Sequence, residues 1–236
     1  MWSMSPCYIT VMVPESLHGR PLPPELVALA STAGQAWFAE ALAAGTMASY
    51  FAVAEQVQTQ ADPAYCGLTS MAVALNSLGI DPGPGRTWKG PWRWFSEELV
   101  ACCLSLERVR AEGVTLDQVA MLGRCNGAVI DLKHADAFTV DELRTDVLAV
   151  ARGERDARLL AAYGRGALGQ TGDGHMSPLG GYHAGRDAVL VLDVARFKYP
   201  AHWVPLPALH QAMTTPDVIT GRARGWLVVG RAPSPD

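Results

Sequence analysis

Residues 66–79 constrain the fold of this chain more than any other stretch. From Leu68 the apolar side chains recur as Leu68, Met71, Ala72 and Leu75, a helical spacing, and Gly67 and Gly79 bracket the run. The pattern predicts a helix from about Cys66 to Leu78. That helix opens on a cysteine, with Gln60 six residues upstream in Gln58-Thr59-Gln60-Ala61-Asp62-Pro63-Ala64-Tyr65-Cys66-Gly67. A thiol at a helix N-terminus sits among unpaired N–H groups at the positive end of the helix dipole, which favours thiolate. Those amides, with the side-chain amide of Gln60, form a candidate oxyanion hole. The competing reading is burial, the commoner fate of a cysteine beside an apolar helix.

A partner set further along weighs against simple burial. Residues 170–182 place His175 in a Gly-rich turn region that leads into a strand, and Ala188–Val194 reads as a second buried strand carrying Asp193. Antiparallel pairing through 182–187 brings His175 toward Asp193. The order Cys…His…Asp is that of papain-like enzymes.

The rest of the chain reads as helices first and sheet later. Helical patterns cover 26–45, a short element within 47–58, 97–110, 115–123 with Thr115 as cap, and 140–151. Strands are expected at 128–132, 159–162, 176–182, 188–194 and 225–229. The fold class this implies is α+β, a helical lobe and an antiparallel-sheet lobe with the active site in the cleft between them. Residues 1–25 read as a loosely attached lead-in, 26–232 as the catalytic domain and 233–236 as a polar tail. A net charge of −4 and the lack of Lys/Arg runs give no reason to expect nucleic acid or a membrane surface as partner. No apolar stretch approaches membrane-span length. Five irregularly spaced cysteines argue against a disulfide framework and for a reducing compartment, the cytosol.

Four blocks carry a closer resemblance: 58–67, Trp88-Lys89-Gly90-Pro91-Trp92-Arg93-Trp94-Phe95, Gln170-Thr171-Gly172-Asp173-Gly174-His175, and 192–205 from Leu192-Asp193 through Arg196-Phe197-Lys198-Tyr199 to His202-Trp203. In this order they resemble phytochelatin synthase over about residues 31–230. The resemblance implies a papain-like catalytic half with Cys66 as nucleophile, His175 as base, Asp193 as orienter and Gln60 at the oxyanion. It implies glutathione as donor, glycine as leaving group, a γ-glutamylcysteinyl thioester on Cys66, and transfer to a second glutathione or a growing phytochelatin, in the service of heavy-metal detoxification. Hydrolysis of glutathione or its conjugates is the alternative, and a non-catalytic thiol- or metal-binding protein is the reading from another class. Transfer needs a held acceptor, since effective molarities of about 10⁵ M or more are reached only by oriented reactants. Arg196, Lys198 and Tyr199 are the candidates for holding it, with Tyr65 in the donor pocket. On chemistry alone, Arg196 pairing with a structural carboxylate and Tyr65 packing in the core are the competing readings.

No organic cofactor is expected. Cadmium, zinc or another thiophilic ion is expected as activator or as a metal–glutathione thiolate substrate, with Cys102 and Cys103 as candidate ligands. Ordinary partial burial on a helix is the competing reading for that pair. Met121 stands where many relatives have a further cysteine, and Gly164 where many have a histidine. The Trp88–Phe95 block is expected to pack one lobe, His202 to make a structural hydrogen bond, and His18, His134, His183 and His210 to lie at the surface. A cysteine-rich C-terminal domain, present in many eukaryotic members, is expected to be absent. Homodimerisation is an expectation from the resemblance alone.

Overall fold

The computed structural model of the chain describes residues 19–232. In chain order the elements are β1 (Val27–Ala28), α1 (Thr32–Ala43), α2 (Tyr50–Ala54), α3 (Cys66–Ser77), α4 (Glu97–Val100), α5 (Leu106–Glu112), α6 (Leu116–Cys125), β2 (Ala128–His134), α7 (Val140–Ala151), β3 (Ala157–Gly164), β4 (Gly174–His183), β5 (Ala188–Val191), β6 (His202–Pro205), α8 (Leu206–Met213) and β7 (Gly225–Arg231). The strands form one antiparallel seven-stranded sheet in the order β1-β6-β5-β4-β3-β7-β2. Mixed helix and antiparallel sheet is therefore as expected from the sequence.

The helices do not gather into one lobe. Successive strand residues point to opposite faces, and both faces of this sheet are covered. Leu159, Ala161 and Tyr163 of β3 pack with α7 and α8. Leu160 and Ala162 pack with α3 and α6, while Leu190 and Trp203 meet α1, α2 and Val73 of α3. All eight residues of β3 are buried, so this strand has no polar face to display. The apolar helix read from the sequence is α3, and its residues from Gly67 to Leu75 are all buried.

Several boundaries follow from caps. Thr115 and Thr139 close capping boxes with Gln118 and Glu142 at the starts of α6 and α7. Ser105 accepts from Arg108 N–H, which starts a new helix there and splits the single helix expected over 97–110 into α4 and α5. Ser31 likewise caps α1, which starts at Thr32, six residues after the start of the Ala-rich pattern at Leu26. Strand β6 and helix α8 were not anticipated, because His202–Pro205 is only four residues long and Pro207 sits in the first turn of α8. The lead-in expected over 1–25 lies largely outside the described residues, as does the tail at 233–236. Its described part is anchored by Arg20 N–H donating to Lys198 C=O at 2.9 Å.

The Trp88–Phe95 block corrects an expectation. Phe95 is fully buried, but Trp88, Trp92 and Trp94 are exposed, with Trp92 at 71%. A tight bridge between Lys89 and Trp92 folds this segment out as a small loop, too short to turn three indoles inward. Among the described residues no helix is long and apolar enough to cross a membrane.

Gly67 shows how closely α3 is seated. A Cβ there would lie 2.4 Å from Val114 Cγ2 and 2.8 Å from Val119 Cγ2. Gly67→Ala is expected to destabilise the fold by about 1–3 kcal/mol through overpacking. Val114→Ala should restore most of that loss, measured by denaturant unfolding; a Gly67→Ala protein of unchanged stability would rule out this packing.

Candidate active site

Cys66 is the first residue of α3, and the residue before it provides no side-chain cap. Helices α1, α4, α5, α6 and α7 all begin with a Ser or Thr whose hydroxyl takes a first-turn N–H. At α3 the orphan N–H groups and the positive end of the dipole are left facing the thiol instead. The start of this helix is braced from two sides. Ser70 donates to Met176 C=O in β4 at 3.1 Å. The buried carboxylate of Glu97 accepts from Ala61 N–H at 3.0 Å and from the Thr69 hydroxyl.

His175 lies near the start of β4, paired across the ladder with Tyr163 of β3. Its Nε2 is 2.9 Å from Asp193 Oδ1 and 2.9 Å from the Ser177 hydroxyl, which leaves Nδ1 for the sulfur. Burial pushes the Cys66 thiol up. The hydrogen bond and charge of His175, the Met176 main-chain N–H and the charge of Arg165 outweigh it and hold the thiol below its ordinary value. Burial likewise opposes the charged form of His175, but Asp193 and Cys66 together raise it. Both shifts favour a thiolate–imidazolium pair at neutral pH.

Asp193 is completely enclosed, yet it is held well below the usual carboxylate range. Burial works against its charge and is overcome by His175, Arg165 and His202. Its oxygens accept from Arg165 Nη2 at 2.9 and 3.0 Å and from Ala195 N–H at 2.9 Å. Arg165 is itself buried. Its Nη1 donates to Gln170 Oε1 at 2.6 Å, Gln170 Nε2 donates to His202 Nε2 at 3.0 Å, and His202 Nδ1 donates to Pro200 C=O at 2.8 Å. That chain fixes the His202 tautomer and bears out its structural role. The Tyr199 ring lies under the Arg165 guanidinium at 5.1 Å, and its hydroxyl accepts from Thr171 N–H.

A cavity of about 300 Å³ opens beside the sulfur. Cys66, His175, Glu112, Asp173, Asp217 and Arg224 give it charge, and Val114, Val218 and Ile219 give it an apolar rim. Arg224 is anchored through Nη1 to Thr215 C=O and Pro216 C=O, and its Nη2 stands 3.5 Å from Asp173 and 3.8 Å from Asp217.

The structure therefore brings together Cys66, His175 and Asp193, and it separates the other sequence candidates from that cavity. Gln60 is buried, but its side-chain amide donates to Asp62 C=O at 2.8 Å and Pro63 C=O at 2.9 Å. Both amide hydrogens hold the turn before Cys66, and the remaining candidate oxyanion donor is the Cys66 main-chain N–H. Tyr65 is buried in the core beside α3, its hydroxyl accepting from Arg110, and does not line the cavity. Tyr199 supports Arg165. Lys198 Nζ lies beside Gly172, 2.8 Å from where a Cβ would stand, and the φ of +105° at Gly172 is one that favours glycine. Arg196 makes no ion pair among the described residues. It lines two other cavities, with Leu29, Tyr50 and Ala201, which share no lining residue with the one at Cys66.

Cys102 and Cys103 are not on a helix. They sit in the turn after α4, exposed, with their sulfurs 3.5 Å apart and Cys103 3.6 Å from Cys125. Among the described residues no group of three or more His, Cys, Asp or Glu is placed to hold a metal ion. His134 and His183 are buried rather than at the surface, hydrogen-bonded to Ala223 C=O and Glu40, and His210 is half-buried against Phe138 C=O. His18 lies outside the described residues.

Sequence reading missed Arg165, Ser177, Asp217 and Arg224. Arg165 and Arg224 are not marked locally, because Asp193 and Asp173 are distant from them in the chain, although Arg165 directly follows a largely apolar strand. Ser177 lies two residues from His175 and was legible as its neighbour. Two outcomes test the site. Replacing His175 with Asn should move the pH profile of Cys66 alkylation upward and slow alkylation at pH 7 by at least about tenfold; an unchanged profile would refute the pairing. Arg165→Ala should cost about 3–5 kcal/mol in denaturant unfolding, since it strips the buried Asp193 carboxylate of its cation.

Comparison with known proteins identifies what carries this arrangement. The family model described as phytochelatin synthase matches residues 17–226. A Triticum aestivum protein named glutathione gamma-glutamylcysteinyltransferase 1 is 49% identical over 93% of the chain and 43% of its own length. Glutathione gamma-glutamylcysteinyltransferase 3 of Lotus japonicus is 48% identical over 94% and 47%, and glutathione gamma-glutamylcysteinyltransferase 1 of Arabidopsis thaliana 46% over 93% and 45%. The chain spans about half the length of the curated relatives it matches. With a match over most of its residues, and with its Cys, His and Asp drawn together beside a charged cavity, this chain belongs to the phytochelatin synthase family.

Proposed function

We propose that this chain is a γ-glutamylcysteinyl transferase that acts on glutathione through a Cys66 thioester, on a papain-like scaffold. The observation that carries the reading is the buried alternation of charge from Cys66 through His175 and Asp193 to Arg165, set against a cavity holding one cation and three acids. A γ-glutamyl head carries one carboxylate and one ammonium. Arg224 matches the first by charge-assisted hydrogen bonding and Asp217 or Asp173 the second. The names of the relatives support glutathione as donor.

In this reading the Cys66 thiolate attacks the cysteinyl carbonyl of glutathione, and the oxyanion meets the free N–H groups at the head of α3. Protonated His175 gives its proton to the departing glycine nitrogen. It next takes a proton from the acceptor's α-amine as that amine attacks the thioester, which releases Cys66. Asp193 keeps Nε2 engaged throughout, so that Nδ1 stays aimed at the sulfur. Arg196 makes no ion pair among the described residues, but it lines cavities apart from the one at Cys66, so the acceptor is not assigned to it. Thiophilic ions enter as part of a metal–thiolate substrate, consistent with soft sulfur ligands.

The test is product analysis with glutathione and cadmium, together with the intact mass of the protein. A γ-glutamylcysteinyl adduct on Cys66 and oligomers of the form (γ-Glu-Cys)n-Gly are expected. Cys66→Ser should abolish both, and Asp193→Asn should lower kcat at neutral pH by removing the charge that helps keep His175 protonated. An adduct that yields only γ-Glu-Cys would assign the chain to hydrolysis. No adduct at all, with binding intact, would overturn the enzymatic reading.

A further inference from the structure

Outside the proposed active site the molecule carries one other cluster of nucleophilic side chains, the exposed thiols of Cys102, Cys103 and Cys125 among the described residues. Cys103 is central, with its sulfur 3.5 Å from that of Cys102 and 3.6 Å from that of Cys125. The two contacts differ in what they permit. Cys102 and Cys103 are neighbours in sequence, so joining them closes a strained eight-membered ring. Cys103 and Cys125 stand on separate segments, the turn between α4 and α5 and the last residue of α6. An S–S bond of about 2.05 Å is reached there by a sulfur movement of about 1.5 Å.

We propose that Cys103 and Cys125 form a reversible thiol–disulfide pair, exchanging with a low-molecular-weight disulfide of the glutathione type. The Cys103 thiolate attacks one sulfur of that disulfide, forming a mixed disulfide and expelling one small thiolate. The Cys125 thiolate then attacks the Cys103 sulfur, forming the internal bond and expelling the second. Two protein thiols are oxidised, one small disulfide is reduced to two thiols, and the two protein protons pass to the leaving thiolates or to water.

Burial and its neighbour Cys103 push the Cys102 thiol up, and the hydrogen bond to Cys103 pushes Cys125 up, so the exchange quickens as pH rises. Asn126 Nδ2 lies 3.8 Å from Cys102 and ties that third sulfur to the α6 terminus. The bond would also have structural leverage. It links the turn behind Glu97, which braces the start of α3, to α6, which packs on α3. Between them α5 leads into Ala111–Val114, one wall of the cavity.

The experiment uses the full chain carrying Cys66→Ser, so that neither the outcome nor its failure depends on the proposed nucleophile. The protein is equilibrated in mixtures of reduced and oxidised glutathione, free thiols are alkylated, and the products are mapped by mass. The expected result is loss of two hydrogens, a 103–125 crosslinked peptide, and an unfolding midpoint higher by roughly 5–10 °C that reverts on reduction. Adding Cys102→Ser should leave the link intact, whereas Cys103→Ser or Cys125→Ser should abolish both the link and the shift. Cys102, Cys103 and Cys125 all remaining alkylatable, persistent glutathione adducts on Cys103 or Cys125, or a 102–103 link would each overturn the proposal.

Discussion

The buried contact between Arg165 and Asp193 is the interaction on which the site depends. An isolated carboxylate at that depth would be protonated, and an isolated guanidinium would not be there at all. Together they remain charged because each meets the other and further partners: Asp193 is met by His175, Ala195 N–H and two Arg165 contacts, and Arg165 by Gln170 and the Tyr199 ring. Adding the thiolate and imidazolium gives an alternating series, negative at Cys66, positive at His175, negative at Asp193, positive at Arg165. Each charge stands next to its opposite and the sum is zero. Low dielectric then strengthens the ordering instead of expelling it.

The surrounding fold is arranged to keep that series in line. Ser70 and Glu97 set the head of α3 against β4, and Gly67 lets α3 approach Val114 and Val119. Tyr163, fully buried, meets the His175 ring edge-on at 5.7 Å. Burial and the nearby Asp193 charge keep its phenol protonated, so it limits ring motion without competing for a proton. Leaving α3 uncapped costs helix stability, and the same unsatisfied N–H groups are what the proposed oxyanion requires.

Elements with a local cause were legible. The helices at 66–77, 116–125 and 140–151 were visible from their spacing, with Thr115 marking the start of the second, and five of the seven strands from their apolar runs. The break between α4 and α5 was not, because Ser105 reads equally as an interior residue until its hydroxyl is seen to accept from Arg108. The exposed tryptophans at 88, 92 and 94 and the buried His134 and His183 went against composition for one reason. Burial of such residues is decided by what packs over them, and the covering segments are far away in sequence. Tyr65, Lys198 and Tyr199 were placed in the substrate pocket by their nearness in the chain to Cys66 and Asp193. Neighbouring residues leave helix and strand in different directions, so chain proximity to a reactive group does not make a wall of its cavity.

By itself, then, the sequence determined which side chain begins the apolar helix, which strand carries the imidazole, and the family to which those blocks correspond. These are properties of spacing and of short contiguous motifs. The carboxylate, expected on the strand over 188–194, instead lies just past β5, which ends at Val191. Only the tertiary structure decided that Arg165 locks Asp193, that Arg224 and Asp217 line the cavity at Cys66, that Gln60 spends its amide on the turn, and that three cysteines from two segments meet. Apart from the local Gln60 contacts, each brings together residues from separate segments, set by how seven strands order themselves and how helices cover both faces. Local propensity carries no record of that choice, because the same patterns would serve several strand orders equally well.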